Sequence, residues 1–97
     1  MGQPVRSYRS VLYIPGSNAR ALEKARELPV DAIIFDLEDA VAADQKTNAR
    51  ALLAETLRTR NYGARATLVR VNALDSEWGR DDVAAFVATE IDGVILP

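Results

Sequence analysis

The chain has 97 residues, twelve basic and fourteen acidic side chains, a net charge of −2, and neither cysteine nor histidine. This makes one domain with a modest core, and basic residues spread along the whole chain set nucleic-acid binding aside. Without Cys or His there is no disulfide framework and no soft metal site, so any metal must be a hard cation on carboxylate oxygens, and proton transfer falls to Asp, Glu, Lys, Tyr or water.

The segment from Met1 to Ser10 is polar, carries two arginines and lacks the apolar run of a signal peptide. No stretch approaches membrane-spanning length, so a soluble, cytoplasmic protein is expected. Ser10–Ile14 reads as a first apolar strand, stopped by Pro15-Gly16. Ser17 or Asn18 can cap a helix whose Leu22, Ala25 and Leu28 recur at near-helical spacing until Pro29. Ala32–Phe35 is a second strand, apolar throughout as suits a parallel sheet covered on both faces, and Asp36, Glu38 and Asp39 follow it directly. Asp44 is a candidate cap for a long helix with Ala49, Leu52, Leu53 and Leu57 on one stripe, closed by Tyr62-Gly63. Its other face, with Lys46, Arg50, Glu55, Arg58 and Arg60, reads as mostly solvated. Ala66–Val71 is a third strand carrying a charge at Arg70, and Asn72–Gly79 is a loop rich in turn formers. A short helix beginning near Asp81-Asp82 should bury Val83, Phe86 and Val87, and Gly93–Leu96 is the fourth strand.

Strict alternation of strand and helix predicts an α/β fold, a parallel sheet built of βαβ units in the order β-α-β-α-β-α-β over residues 1–97. The strands recur every 28 residues or so, and eight such units would need roughly 220 residues, close to a minimal (β/α)8 barrel. The chain is therefore expected to be the N-terminal part of one barrel domain, its first half, with an edge strand left to be paired. A free-standing four-stranded sheet is the alternative.

In parallel sheets ligands gather at the carboxyl ends of strands. Three such ends carry polar groups here: Tyr13-Ile14-Pro15-Gly16-Ser17, Asp36-Leu37-Glu38-Asp39 and Arg70-Val71-Asn72. Asp36 or Asp39 taken alone could simply cap the next helix, with Glu38 solvated. A guanidinium at the end of an apolar strand needs an acid or an anionic ligand, so Arg70 is expected either to pair with Glu38 or Asp39 or to bind a carboxylate, and the two are compatible.

Taken together, Arg9-Ser10-Val11-Leu12-Tyr13-Ile14-Pro15-Gly16-Ser17-Asn18, Asp36-Leu37-Glu38-Asp39-Ala40-Val41, Lys46, Ala49-Arg50 and Arg70-Val71-Asn72 resemble the citrate lyase β-subunit-like branch of the HpcH/HpaI aldolase family, which includes malyl-CoA lyases. The resemblance implies a (β/α)8 barrel, assembled as a trimer or a multiple of it. It also implies Mg²⁺-dependent, reversible cleavage of a 3-hydroxyacyl-CoA into a short acyl-CoA and a 2-oxo acid. By the same resemblance Arg70 contacts the oxo-acid carboxylate, Glu38 and Asp39 are catalytic groups beside the metal and its waters, and Arg20 and Lys46 contact CoA phosphates. The carboxylates that bind the metal directly would come from later strands, so none is expected in this chain. In that scheme the ion polarises the oxo-acid oxygens while Arg70 neutralises its carboxylate.

Two other readings remain open on the residues. Ile33-Ile34-Phe35-Asp36-Leu37-Glu38 also looks like the nucleophile motif of haloacid-dehalogenase-type phosphatases, with Asp36 attacking. Against it, Glu38 replaces that motif's second Asp, and a complete strand and helix precede it. The other is a non-catalytic half-barrel, and the 97-residue piece on its own is expected to be inactive.

Overall fold

The computed structural model describes residues 10–59, 61–87 and 89–97. Its elements are β1 (Val11–Pro15), α1 (Ala19–Lys24), β2 (Ala32–Asp36), α2 (Lys46–Thr59), β3 (Ala66–Arg70), α3 (Gly79–Phe86) and β4 (Gly93–Ile95). The four strands form one parallel sheet in the order β1-β2-β3-β4, so the expected α/β alternation is the observed fold. Sequential order is that of consecutive barrel strands, whereas a doubly wound sheet reverses direction from its centre.

Side-chain alternation divides the sheet into two faces. Ile14, Ile33, Phe35 and Val69 join Leu22, Ala25, Ala49, Leu53 and Phe86 of the helical segments in a single core. Completely buried side chains such as Phe35 and Leu53 each contribute about 1.5–3 kcal/mol. Tyr62 closes this core by setting its ring edge-on to Phe35, with centroids 5.3 Å apart. Its hydroxyl donates to the Leu22 carbonyl at 2.6 Å. Gly63, at φ 66°, then takes the left-handed turn that a Cβ would strain. The opposite face of the sheet bears Val11, Tyr13, Ile34 and Leu68, and Val11 and Tyr13 are exposed.

Several local expectations change. Asn18, not Ser17, caps α1, its Oδ1 accepting from the Ala21 amide at 3.0 Å. The helix ends at Lys24 and passes through a 3-10 turn, so Leu28 is extended rather than helical, as the residue before Pro29 must be. Asp44 does not cap α2 but lies inside a 3-10 turn, Ala43–Gln45, that leads into it. Helix α3 starts at Gly79, two residues before Asp81. Val87 is exposed rather than buried. At about 100° per residue, the buried positions Gly79, Asp82 and Phe86 define a face that Val87 does not share, because the core-facing position is taken by a carboxylate.

Candidate active site

Parallel pairing puts the strand ends in register, Pro15 beside Asp36 and Asp36 beside Arg70, with Ile95 next in line. Asp36 and Arg70 are thus neighbours on one face of the sheet. Arg70 donates from Nε to Asp36 Oδ1 at 3.0 Å and from Nη2 to Asp36 Oδ2 at 2.7 Å, a bidentate pair of the strong, directional kind. The expected partner, Glu38, is farther, with Oε1 3.9 Å from Arg70 Nε. Asp39, also expected as a partner, is exposed and contributes only at longer range to holding Arg70 charged.

Strand β2 stops at Asp36 and residues 37–41 bend away. Asp36 itself causes the turn, accepting from the Glu38 amide at 2.8 Å (Oδ1) and from the Ala40 amide at 3.0 Å (Oδ2). The expected helix cap is not what Asp36 makes, since the amides it holds belong to a turn that ends before the next helical segment begins at Ala43, and Glu38 and Asp39 ride on the loop that it shapes. Burial pushes the Asp36 carboxyl up, but the Arg70 hydrogen bond and the two amides together outweigh it and hold the pKa below the ordinary 3.8. The same bond raises Arg70. With four donors on its two oxygens, Asp36 has no lone pair left for attack on a phosphoryl group, which removes the geometric basis of the phosphatase reading.

The preceding loop closes in from the other side. Gly16 donates to the Asp36 carbonyl at 2.8 Å, and a Cβ there would lie 2.7 Å from Leu37 Cδ2, so this approach requires glycine.

Helix α2 supplies two inward cations one turn apart. Lys46 is buried, and its Nζ donates to the Leu37 and Glu38 carbonyls at 3.2 and 2.6 Å. The same ammonium lies 5.4 Å from the Trp78 ring centroid. Lys46 thus fastens the acidic loop to the helix, an arrangement that its expected role toward CoA phosphates does not require. Arg50, expected on a solvated face, reaches Asp82 Oδ1 at 2.8 Å and the Trp78 carbonyl at 3.4 Å. Asp82 is fully buried, and its Oδ2 accepts from both the backbone amide (3.0 Å) and the side-chain Nδ2 (2.7 Å) of Asn72. Arg20, in the first turn of α1, is exposed, and its side chain makes no hydrogen bond or ion pair among the described residues.

Sequence reasoning missed Asp36 as the partner of Arg70, and Arg50 and Asp82 as a buried pair. Register could have found the first, since adjacent parallel strands align Asp36 with Arg70, whereas Arg50 and Asp82 meet only through the packing of α2 on α3.

The donor chemistry suits a hard cation in part. Glu38 and Asp39 offer carboxylate oxygens at the strand ends, Asp36 is fully engaged, and no group of three or more acidic side chains gathers among the described residues. Such a pair can orient the waters of an ion.

Residues 9–97 match the HpcH/HpaI aldolase/citrate lyase family. The chain is 60% identical over its whole length to a (3S)-malyl-CoA thioesterase of Cereibacter sphaeroides, spanning 34% of that protein. It is 46% identical over 95% of its length to the citrate lyase subunit beta of Escherichia coli, spanning 30% of it. Among solved structures, CitE from Mycobacterium tuberculosis in complex with magnesium, acetoacetate and coenzyme A superposes with a TM-score of 0.75 at 31% identity, covering 96% of this chain and 33% of that one. The citrate lyase beta subunit from the same organism, complexed with oxaloacetate and magnesium, gives 0.72 at 34% identity over 90% of this chain and 37% of that one. The chain thus spans about a third of the length of the relatives it matches. Among the described residues no helix is long and apolar enough to cross a membrane.

Proposed function

We propose, on the premise that this chain belongs to the HpcH/HpaI aldolase/citrate lyase family, that it supplies the first half of a (β/α)8 barrel that acts on CoA thioesters of 3-hydroxy acids. The reaction is carbon–carbon cleavage, splitting the substrate into a short acyl-CoA and a 2-oxo acid. The observation that carries this reading is the Asp36–Arg70 pair at the strand ends, a fixed cation with exposed surface near the carboxylates of Glu38 and Asp39.

In this reading Arg70 holds the carboxylate of the oxo-acid portion. Glu38 and Asp39 accept hydrogen bonds from water around a Mg²⁺ ion held directly by residues outside this chain, in keeping with the magnesium in the matched structures. When bound, that ion supplies Lewis-acid polarisation of the oxo-acid oxygens. The chain's own residues do the rest: Asp36 and Lys46 fix the acidic loop, and Gly16 lets the first loop close over it. Arg20 is proposed to meet CoA phosphates from the exposed side of α1.

Thioester hydrolysis is the second reading, favoured by the 60% identity to a malyl-CoA thioesterase. The two separate by products from malyl-CoA in the complete protein. Cleavage gives acetyl-CoA and glyoxylate, whereas hydrolysis gives malate and free CoA. Free CoA as the sole thiol product would replace the lyase reading with the hydrolase one, and turnover of neither kind would remove both. Glu38→Gln should weaken Mg²⁺-dependent turnover by about 10–100-fold while leaving CoA affinity unchanged, and equal loss of both would point to misfolding.

A further inference from the structure

A guanidinium has two edges that can each hold a carboxylate, the side-on edge of Nε and Nη2 and the end-on edge of Nη1 and Nη2. Asp36 occupies the side-on edge of Arg70 completely. Nη1 makes no hydrogen bond among the described residues, and the Arg70 side chain keeps 27% of its surface exposed, against 4% for Asp36. The two Asp36 oxygens also hold the amides of Glu38 and Ala40. One carboxylate therefore joins the cation of β3 to the acidic loop after β2.

We propose that Asp36 is a positioning residue that turns the end-on edge of Arg70 toward a small carboxylate ligand and locks that pose to the loop bearing Glu38 and Asp39. The identity of the ligand as a 2-oxo acid rests on the function proposed above, but the geometry does not. A carboxylate arriving end-on meets two parallel N–H groups while Asp36 still neutralises the adjacent edge, so Arg70 binds the ligand without swinging away from the sheet. Anion capture and the placement of the acidic loop become one unit. Asparagine at position 36 breaks this unit, because one of its ends donates and would face two donors, the Ala40 amide and Arg70 Nη2, or the Glu38 amide and Arg70 Nε.

The test uses the complete protein and pyruvate as the probe. In the wild type, ¹⁵N–¹H spectra of the arginine side chains during pyruvate titration should show Arg70 Nη signals shifting while the Nε signal, held by Asp36, stays slow to exchange and nearly fixed. An Nε shift larger than that of Nη would overturn the proposal without recourse to any variant. In Asp36→Asn, KM for the 2-oxo acid in the condensation direction should rise about 10–100-fold, KM for the acyl-CoA should stay within about twofold, and the Nε signal should broaden. An unchanged oxo-acid KM, or equal rises for both substrates, would also overturn it. If the protein forms no adduct at all, the lyase reading fails while the pyruvate titration still decides the role of Asp36.

Discussion

Arg70 and Asp36 show how one strand position determines the chemistry of its neighbour. The bidentate geometry predicts that Arg70→Lys, which offers a point charge in place of a planar fork, keeps the fold but lowers kcat/KM for the oxo-acid substrate by about 10–100-fold. Steady-state kinetics beside a circular-dichroism melt check both halves of that statement. The depressed Asp36 carboxyl has a consequence for pH stability. A carboxyl whose folded pKa lies below its unfolded value stabilises the fold above the unfolded value and loses that contribution as pH falls through the folded one. The Asp36 contribution should therefore be intact at pH 5–7 and fade below the ordinary 3.8. Urea unfolding between pH 5 and pH 2 should show a steeper loss in the wild type than in Asp36→Asn, and parallel curves would refute the assignment. Arg70 stood out in the sequence because a cation ends an apolar strand. Asp36 stood out only as a possible cap or nucleophile, since its pairing with Arg70 depends on strand register and its two amide bonds on a bend that no motif announces.

At the level of elements, the strands were legible to within a residue or two because apolar runs bounded by Pro, Gly and Asp leave little choice. The first turn of α2 and the face of α3 were not, because buried charge defeats a reading based on apolar periodicity. Asp82 looks from sequence like a residue serving the dipole of α3, yet it is fully buried and holds Asn72 and Arg50. Arg50 and Lys46, one turn apart, thereby tether α2 to the loops after β3 and β2 respectively. Arg50→Met should leave the Asp82 carboxylate buried with only Asn72 as donor and destabilise the protein by about 3 kcal/mol, measurable by denaturant titration. A change under about 0.5 kcal/mol would mean the pair is dispensable. Gly79 marks the same junction. A Cβ there would lie 2.1 Å from the Ala73 carbonyl oxygen and 2.7 Å from Leu74 Cα, and backbone cannot yield as a side chain can. Gly79→Ala should therefore displace the loop after β3 and destabilise by at least the roughly 1–3 kcal/mol typical of overpacking, whereas an unaltered melting temperature would show that the loop shifts freely.

For the whole molecule, the alternation of elements announced a parallel sheet, and the observed order β1-β2-β3-β4 leaves β1 and β4 at its edges. Tyr13 is 59% and Leu96 58% exposed, and a parallel edge with apolar neighbours pairs readily with another strand. The carboxylates lead to the same view. Asp36 is saturated, and among the described residues no group of three or more acidic side chains that could hold a metal ion gathers. We therefore propose that residues 1–97 alone are neither a competent lyase nor a stoichiometric Mg²⁺ binder. Isothermal titration of the 97-residue chain with Mg²⁺ should give no saturable heat, and sedimentation velocity should show association through the open edges. A folded monomer that binds the ion one-to-one would overturn both expectations, because it would place direct metal ligands within this chain and leave the sheet edges with no need of a partner.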